Sequence, residues 1–557
     1  MSMIYSTSVF ALLMWFASGD VTENSSLFSD MAKILSNKRT VTAACTSEPD
    51  AQAPWIFQKF DEARLNKDKW FKEYDIGEST LPVMKKLAQV PPNPNMFDMP
   101  SEFLESRWPQ TPERNICKSF QNCSREQILD DVLGFKESFG GRKIALFEDV
   151  WVDGRGLIVH RQTCKAVRNG ACLPAQDKFT PIVAKERPEE IFPMVLSLAT
   201  SWRGTWHFPM EDVAALAHID RKILDKMVFH LPAKTDYIIS WLTNLGVTPE
   251  RMVMGTVACQ VLLIPQMRCG EPLFSQLEWM REAYLPEETA QQRAAVGFNY
   301  RAMPTGASPA VATTSTTGKV SSTVSSTTSD GTTTKKERME AKANAIATAA
   351  STATTSATKD LPAAKPLTLL MIERNQNRGV VNMNEVHNYA TTFARDHSLK
   401  LLVHSDLAFP ALLDQMRNFA QADIVLAPHG AGLLFTTFLP YTSCVIEFSH
   451  PSNPYCYAHI AYVRNLSYVM MDMRDNTMNL NQAKVGLERC IHAVTMKKQE
   501  LGIAIGELKN VPELNANTAS GSNGGSSTGS VVEAVTEVIK TDSVIKDVLT
   551  TLSNFVP

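Results

Sequence analysis

The sequence lacks the features by which several classes of protein are recognised. Its 55 basic and 58 acidic residues nearly cancel, so it has no basic field of the kind that binds nucleic acid. None of its 10 cysteines stands in a C-x-x-C pair, which removes support for a zinc ribbon or a thioredoxin-type site. With 44% hydrophobic residues in a chain of 557, the sequence is still long and apolar enough to form two ordinary domains.

The amino terminus lacks basic residues. No lysine precedes Lys33, and the apolar segment Met3–Ser18 ends near small residues. This segment is short for a membrane-spanning helix and long enough for the core of a signal peptide, although a basic stretch before it is missing. We interpret residues 1–20 as a secretory signal or a signal anchor. The alternative is a buried strand or helix at the terminus.

Cysteine spacing and glycosylation triplets favour a secretory route. Closely spaced cysteines suit short disulfide loops in an oxidising lumen, and the pairs are Cys117/Cys123, Cys164/Cys172 and Cys259/Cys269. N-x-S triplets begin at Asn24, Asn122 and Asn465. We therefore expect a disulfide-bonded glycoprotein in the lumen of the Golgi or endoplasmic reticulum, either soluble or anchored as a single-pass type II membrane protein.

A change of composition divides the chain. Between residues 304 and 366 the sequence is dominated by Ser, Thr and Ala, which cannot bury enough apolar surface to fold alone. We predict six segments: 1–20 the signal or anchor, 21–100 an irregular stem, 101–303 an amino-terminal α/β domain, 304–366 a linker or insertion, 367–510 a carboxyl-terminal domain, and 511–557 a Gly/Ser-rich tail with a final helix.

Strands and helices alternate after the linker. Apolar runs of strand length are separated by helix-length segments, and the runs are 367–372, 401–404, 424–427, 444–448 and 467–473. One predicted helix is 384–395, with Asn384 as its N-cap. This alternation predicts a parallel, Rossmann-like sheet. In the preceding domain, two β-rich runs flank Asp153-Gly154 and predict a β-hairpin.

The turn Pro428–Gly432, with the sequence PHGAG, is the first candidate binding site. Gly430 and Gly432 remove side chains that would keep a ligand from the backbone, and the N–H groups at a helix start attract phosphate. His429 can add a proton donor, and Glu447, at the carboxyl end of the next strand, can accept two hydrogen bonds from a ribose diol. The pairing predicts a nucleoside diphosphate. The alternative is a tight turn without a ligand.

Two arginines stand in the polar loop after the first strand of the second domain. Because the carboxyl ends of parallel strands share one edge of a sheet, we expect Arg374 and Arg378 to lie near His429. Two guanidinium groups there can neutralise a diphosphate leaving group. The alternative is that both are ordinary surface arginines.

A third candidate lies in the first domain. His207, Glu211 and Asp212 fall within about one helical turn, beside tryptophans at 202 and 206. An imidazole or carboxylate there can act as a general base, and flat aromatic rings form a usual platform for sugars. The alternative is that the two acids stabilise the start of a helix and the tryptophans belong to the core.

These motifs resemble, in the same order, motifs of the family 61 glycosyltransferases. The resemblance rests on the sequence DIVLAPHGAGLLFTTFLPYTSCVIEF at 423–448, on the arginine loop that is followed by Asn382, and on His207-Phe208 followed by Glu211. It covers roughly residues 143–472 and is interrupted by the linker. Because family members usually cross between domains without such a linker, we expect looser coupling of the two halves here.

The resemblance implies a fold and a reaction. It implies an α/β, GT-B-like fold in which two Rossmann-like domains, 101–303 for the acceptor and 367–510 for the nucleotide sugar, enclose a cleft. The implied reaction is inverting, metal-independent transfer of xylose, arabinose or N-acetylglucosamine from a nucleotide donor, with UDP favoured, to a glycan or protein hydroxyl. The expected base is Glu211 or Asp212, with His207 as the rival. The nucleotide-sugar site is expected to comprise Arg374, Arg378, His429, Gly430, Gly432 and Glu447.

A metal site and a further cofactor are not expected. Many sugar transferases hold a divalent metal with an Asp-x-Asp triad, but none stands beside a predicted strand end, and Asp472 and Asp475 have the wrong spacing. The leaving group would then depend on a helix dipole, arginine and histidine.

Two other functions are alternatives. A serine esterase would need a G-x-S-x-G elbow, whose match at Gly525–Gly529 lies in the tail with no histidine after His492, so it is disfavoured. The second is a catalytically inactive, lectin-like or scaffold member of the same family.

Overall fold

The computed structural model describes one compact unit, within Met1–Val511. The residues described are 25–36, 57–58, 71–75, 97–98, 143–154, 156–163, 166–168, 190–199, 205–265, 272–296, 364–374, 379–405, 411–450, 453 and 455–510. Several predictions fall outside these ranges: the signal or anchor segment, nearly all of the linker, the tail, Arg378, and the pairs Cys117/Cys123 and Cys164/Cys172.

The strands form two sheets. In chain order they are β1 Phe57–Gln58, β2 Phe71–Asp75, β3 Phe97–Asp98, β4 Lys143–Val152, β5 Leu157–His160, β6 Ala166–Arg168, β7 Ile191–Ser197, β8 Val228–His230, β9 Met252–Val253, β10 Val257–Pro265, β11 Thr368–Glu373, β12 Lys400–Ser405, β13 Ile424–Pro428, β14 Cys444–Ser449 and β15 Ser467–Asp472. The first sheet has the order β1-β6-β5-β4-β10-β7-β8-β9, with β2 also pairing with β4. The second has the order β12-β11-β13-β14-β15-β3.

The helices alternate with these strands. The α-helices are α1 Ser25–Ser36, α2 Arg221–Leu224, α3 Asp236–Thr243, α4 Phe274–Tyr284, α5 Pro286–Ala295, α6 Met383–Asp396, α7 Leu412–Ala420, α8 Cys456–Val463 and α9 Leu480–Glu500. Tighter or wider turns form the π-helix Phe208–Val213 and the 3₁₀ helices Ala214–His218, Pro249–Arg251 and Ala431–Phe438. The predicted α/β class is confirmed.

The first sheet is mixed. Strands β10, β7, β8 and β9 run parallel, whereas β4 is antiparallel to β10, β2 and β5. The predicted hairpin at Asp153-Gly154 is present, since Val150 pairs with His160 and Val152 with Ile158. Leu157 N donates to the Asp153 side chain over 2.8 Å, and Gly156 adopts φ 79, which favours glycine at this turn.

The second sheet is parallel throughout, as the alternation of strands and helices predicts. Its order places β12 on one side of β11 and β13 on the other, so the winding reverses between β11 and β13. In open α/β sheets, ligands bind beyond the carboxyl ends of the strands at such a reversal. The loop after β11 carries Arg374, and the turn after β13 begins with His429.

Alternate strand residues face two cores. Leu369, Met371 and Ile446 pack with α6 and α9 on one face of the second sheet. On the opposite face, residues such as Val425 and Val445 belong to a core that also includes side chains of the first sheet and of α4. The two halves therefore share one apolar core, which differs from the looser coupling expected from the linker.

Two local expectations need correction. Helix α6 begins at Met383 with Asn382, not Asn384, at its N-cap. The Asn382 side chain instead bonds both backbone groups of Met478, at 3.0 Å to its N and 2.9 Å to its O, and so ties the start of α6 to the loop before α9. The segment after the PHGAG turn is helical as predicted, but it is a 3₁₀ helix.

The disulfide pattern also differs. Cys259 is a free, fully buried thiol within β10, so the expected Cys259/Cys269 bridge is wrong. Its side chain points into the sheet core, where Sγ lies 3.7 Å from the Val150 carbonyl. A bridge joins Cys444, at the start of β14, to Cys490 in α9. Among the described helices, none combines the length and apolarity needed to cross a membrane.

Candidate functional site

Arg374 and His429 meet at the winding reversal between β11 and β13. The Arg374 guanidinium donates through Nη1 to the carbonyl oxygen of His429. A Cβ placed on Gly430 would lie 2.9 Å from Arg374 Cζ, so the arginine packs directly against this glycine. The contact holds a cationic side chain against the turn at the sheet edge where the fold favours ligands.

His429 belongs to a buried chain of hydrogen bonds. Its Nδ1 lies 2.6 Å from Glu447 Oε1, and the hydroxyl of Tyr468 donates to Glu447 Oε2. Burial and, to a smaller extent, the carboxylate of Glu447 raise the pKa of Tyr468 well above its usual value, so its hydroxyl keeps its proton. With both oxygens engaged, Glu447 fixes the ring of His429 and the proton on its Nδ1.

Strand alternation explains why Glu447 is buried. It lies within β14, paired with Met470 of β15, and two residues before the strand ends. Its side chain follows Val445 onto the face shared with the first half, where it is 1% exposed. A ribose-binding role for Glu447 stays a prediction; the contacts observed here are with His429 and Tyr468.

Tyr457 connects this turn to the first half of the chain. Its ring centroid lies 5.0 Å from that of His429 and 4.9 Å from that of Trp206, the second contact being edge-to-face. All three side chains are buried. Nearby, the Thr437 hydroxyl donates to Met210 Sδ over 3.9 Å. The segment 206–210 and the segment after PHGAG therefore pack together.

His207 and Glu211 form a pair next to Trp206. His207 Nδ1 lies 2.8 Å from Glu211 Oε1, across one turn of the π-helix region. The side chain of His207 keeps 26% of its surface exposed, whereas that of Glu211 keeps 1%. Asp212 is fully buried. Of the three residues predicted here, His207 has the most exposed side chain.

The segment that carries His207 is fixed by a tyrosine that sequence reasoning missed. Tyr237, at the start of α3, donates its hydroxyl to the Thr205 carbonyl over 2.6 Å. Burial raises the pKa of Tyr237, so the hydroxyl remains a donor. Its ring continues into an aromatic column through Trp241, which stacks near Phe435 of the 3₁₀ helix with centroids 6.3 Å apart.

A buried charge network also joins the two halves. Glu278 of α4 lies 2.6 Å from Arg281 and 3.2 Å from Arg293, and the Tyr441 hydroxyl donates to it over 2.7 Å. The nearby arginines hold the pKa of Glu278 at about 2 against the opposing effect of burial. Arg464, 3.5 Å from Glu278, donates to the carbonyls at the end of the 3₁₀ helix.

The predicted site residues thus fall into two groups. Arg374, His429, Gly430 and Glu447 are in contact around the turn after β13, and His207 pairs with Glu211 on the other side of Tyr457. Gly432 lies further along, where a Cβ would be 3.7 Å from Ile372. Arg378 lies outside the described residues. Within the described residues, no group of three His, Cys, Asp or Glu side chains is placed to hold a metal ion.

The tyrosines of the site carried a weak sequence signal. Tyr468 stands in a predicted strand, and alternation puts it on one face, but its contact with Glu447 depends on the register between β14 and β15. Tyr457 and Tyr237 lie in apolar helical segments, where a tyrosine is usually a core residue.

The second sheet defines a doubly wound α/β protein whose winding reversal carries an arginine, a histidine and a glycine turn. Residues 237–446 match the model of the Glycosyltransferase 61 family, which confirms the predicted resemblance. The match includes Arg374 and the PHGAG turn, begins after the His207–Glu211 pair, and ends one residue before Glu447. This part of the chain is therefore similar to the glycosyltransferases of family 61.

Three similar proteins share the name "EGF domain-specific O-linked N-acetylglucosamine transferase". The protein of Drosophila melanogaster is 30% identical over 115 residues, which are 20% of this chain and 21% of that protein. The Bos taurus protein is 29% identical over 101 residues, 18% of this chain and 19% of that protein. The protein of Canis lupus familiaris is 29% identical over 104 residues, with the same shares. The chain thus spans about a fifth of the length of these relatives.

Proposed function

We propose that this protein is a glycosyltransferase that moves a sugar from a nucleotide donor to a hydroxyl group in the lumen of the secretory pathway. The family match and the relatives support sugar transfer. Among xylose, arabinose and N-acetylglucosamine, the relatives' name favours N-acetylglucosamine, and it favours a protein hydroxyl as the acceptor. UDP is the expected carrier. The Cys444–Cys490 bridge fits an oxidising compartment.

The observation that carries this proposal is the ring contact of Tyr457 with both Trp206 and His429, at centroid distances of 4.9 and 5.0 Å. Sugar transfer needs a base for the acceptor and a charge-stabilising group for the leaving diphosphate, close enough to act on one anomeric carbon. Tyr457 brings the segment that carries His207 against the turn that carries His429.

On the donor side, Arg374 and His429 receive the diphosphate. The guanidinium supplies fixed positive charge, and His429 acts as an imidazolium whose Nδ1–H is bound by Glu447 and whose Nε2–H donates to a diphosphate oxygen. Developing negative charge on the leaving oxygen is stabilised by these groups as the bond to the anomeric carbon breaks. We propose that these protein groups suffice and that no metal ion takes part.

On the acceptor side, His207 is the base. Glu211 accepts a hydrogen bond from His207 Nδ1–H and so orients the ring. The unprotonated Nε2 can then take the proton of the acceptor hydroxyl. The acceptor oxygen forms its bond to the anomeric carbon from the face opposite the diphosphate, which leaves with the electron pair of the broken bond. The configuration is inverted. This proposal takes His207, the rival in the sequence-based expectation, in place of Glu211 or Asp212, because the side chain of His207 is 26% exposed and that of Glu211 is 1% exposed.

The proposed arrangement is that of a GT-B enzyme, with the first sheet on the acceptor side and the parallel second sheet on the donor side. Two parallel-rich sheets joined through one core are compatible with it. The rival is an inactive family member that binds a nucleotide sugar or glycan without turnover.

Calorimetry and a transfer assay together test the proposal. Full-length protein is titrated with nucleoside diphosphates and nucleotide sugars, with and without EDTA, and transfer is assayed on acceptors that include a folded EGF-like domain. We expect binding of UDP and UDP-N-acetylglucosamine that EDTA does not change, together with turnover. Failure of folded protein to bind any nucleoside diphosphate would refute the proposal, and binding without turnover on every acceptor would favour the inactive rival.

A further inference from the structure

A second histidine–carboxylate pair lies at the same edge of the second sheet, on its other face. His387 of α6 contacts Glu373, the last residue of β11, through Nδ1 and Oε1. Glu373 follows Leu369 and Met371 in strand alternation, and those two residues pack on the α6 and α9 side. The pair formed by His429 and Glu447 lies on the face shared with the first half. The Glu373–His387 pair and the Glu447–His429 pair therefore lie on opposite faces of the second sheet, near the carboxyl ends of its strands.

The Glu373 pair is accessible, unlike the Glu447 pair. The side chain of Glu373 is 17% exposed and that of His387 is 40% exposed, whereas Glu447 is 1% exposed. A carboxylate at the last position of a parallel strand lies where open α/β sheets bind ligands. The ribose site for which the sequence suggests Glu447, in β14, thus has a more accessible candidate in β11, on the far side of β13.

Glu373 also lies directly before Arg374, the residue proposed to bind the diphosphate. Arg374 follows it and contacts His429 and Gly430. A diphosphate held by Arg374 is attached through one carbon to its ribose, so the ribose must lie close to the end of β11. Consecutive side chains at a strand end point to opposite faces, which leaves Glu373 turned towards α6 while Arg374 reaches towards the turn.

We infer that Glu373, oriented by His387, accepts hydrogen bonds from the two ribose hydroxyl groups of the nucleoside diphosphate. This inference rests on the proposed function. An ionised carboxylate has two oxygens that each accept more than one hydrogen bond, so Oε1 can bind both His387 and one hydroxyl while Oε2 binds the other. His387 is a positioning residue, because it fixes the carboxylate rather than touching the ribose.

The test compares three probes by calorimetry on the full chain: UDP, its 2′,3′-dideoxy counterpart and inorganic pyrophosphate. Hydrogen bonds to a charged group contribute about 1.5–3 kcal/mol, so we expect the wild type to bind UDP at least about tenfold more tightly than the dideoxy compound. In Glu373→Ala this preference should fall to about twofold or less, with pyrophosphate affinity unchanged. His387→Ala should reduce the preference in part. The control is Glu385→Ala, which changes an exposed residue of α6, the helix that carries His387. It should bind the three probes as the wild type does.

The outcomes separate this inference from the proposed function. Equal binding of UDP and the dideoxy compound by the wild type would overturn the ribose assignment and leave the transferase intact. A preference that survives in both Glu373→Ala and His387→Ala but disappears in Glu447→Gln would assign the ribose to Glu447 instead. Absence of all nucleoside diphosphate binding in folded wild type would overturn both. Pyrophosphate binding shows that each variant is folded. If Glu373→Ala does not fold, the reduced preference expected for His387→Ala still tests the inference.

Discussion

The guanidinium group of Arg374 occupies the space that a side chain at Gly430 would need. A Cβ at this position would lie 2.9 Å from Arg374 Cζ, a distance that real Cβ atoms essentially never show. The backbone of Gly430 is extended, with φ 165, so any residue can adopt its conformation. A side chain at this position would therefore have to displace the arginine.

Gly430→Ala should therefore displace Arg374 from the turn and weaken nucleotide binding. Loss of one charge-assisted contact to the diphosphate corresponds to about 1.5–3 kcal/mol, or roughly tenfold to a hundredfold in the dissociation constant of UDP. The matched control is Gly154→Ala in the hairpin of the first sheet, whose Cβ would lie 4.0 Å from Gly255 N, an ordinary contact. Calorimetry on both variants is the measurement, and equal affinities would contradict the role given to Arg374.

Sequence periodicity predicted the second sheet because its signal is local. The apolar runs at 424–427 and 444–448 and the helical segments between strands each follow from the spacing of neighbouring residues. The hairpin at Asp153-Gly154 has the same origin, since turn residues and flanking β-rich runs are adjacent in the chain.

Among partners that are distant in sequence, the nearness of Arg374 to His429 was predicted from their shared sheet edge, but several other contacts were not. The Cys444–Cys490 bridge spans 46 residues and depends on how α9 lies across β14, whereas the predicted pairs are close in sequence. Glu447 was expected at the strand edge, but β14 continues to Ser449 and alternation turns its carboxylate into the core. Which face a residue takes depends on register, which one sequence does not fix.

The division of roles between His207 and Glu211 predicts different kinetic losses. Removing a general base lowers turnover by about 10²- to 10⁴-fold, so His207→Ala should lower kcat by that factor with little change in UDP affinity. Glu211→Gln should lower kcat less, because the imidazole remains and loses only its orienting carboxylate. Steady-state kinetics and calorimetry distinguish the two. A larger loss in Glu211→Gln than in His207→Ala would make Glu211 the base.

The charge network between the halves predicts a large stability effect at Glu278. Glu278→Ala leaves three buried arginines without their shared carboxylate, which should lower the free energy of unfolding by about 3–5 kcal/mol. Glu288, whose contact with Arg417 at 3.4 Å is partly exposed, is the control in the same region. Glu288→Ala should cost at most about 1 kcal/mol. Urea denaturation measures both, and similar costs would show that the network contributes little.

A buried histidine in the first sheet predicts how stability depends on pH. His230, at the end of β8, lies with Nδ1 3.0 Å from the Ser197 hydroxyl and Nε2 2.8 Å from the Gly255 carbonyl. Burial lowers the pKa of His230 from 6.5 to about 4, against a smaller opposing effect of the Gly255 hydrogen bond. The neutral ring therefore donates from Nε2 to the carbonyl and accepts from the serine.

The sign of the effect follows from this lowered pKa. Between pH 6.5 and 4 the unfolded chain binds a proton at His230 that the folded protein does not, so stability falls as the pH falls through this window and the contribution is fully present only above pH 6.5. From pH 7 to 4.5 the wild type should lose about 2 kcal/mol more than His230→Gln. Ser197→Ala, which keeps the histidine, should cost about 1 kcal/mol at every pH and retain the wild-type slope. Urea denaturation across this range is the measurement. Parallel curves for the wild type and His230→Gln would mean that His230 takes up its proton in the folded protein as readily as in the unfolded chain.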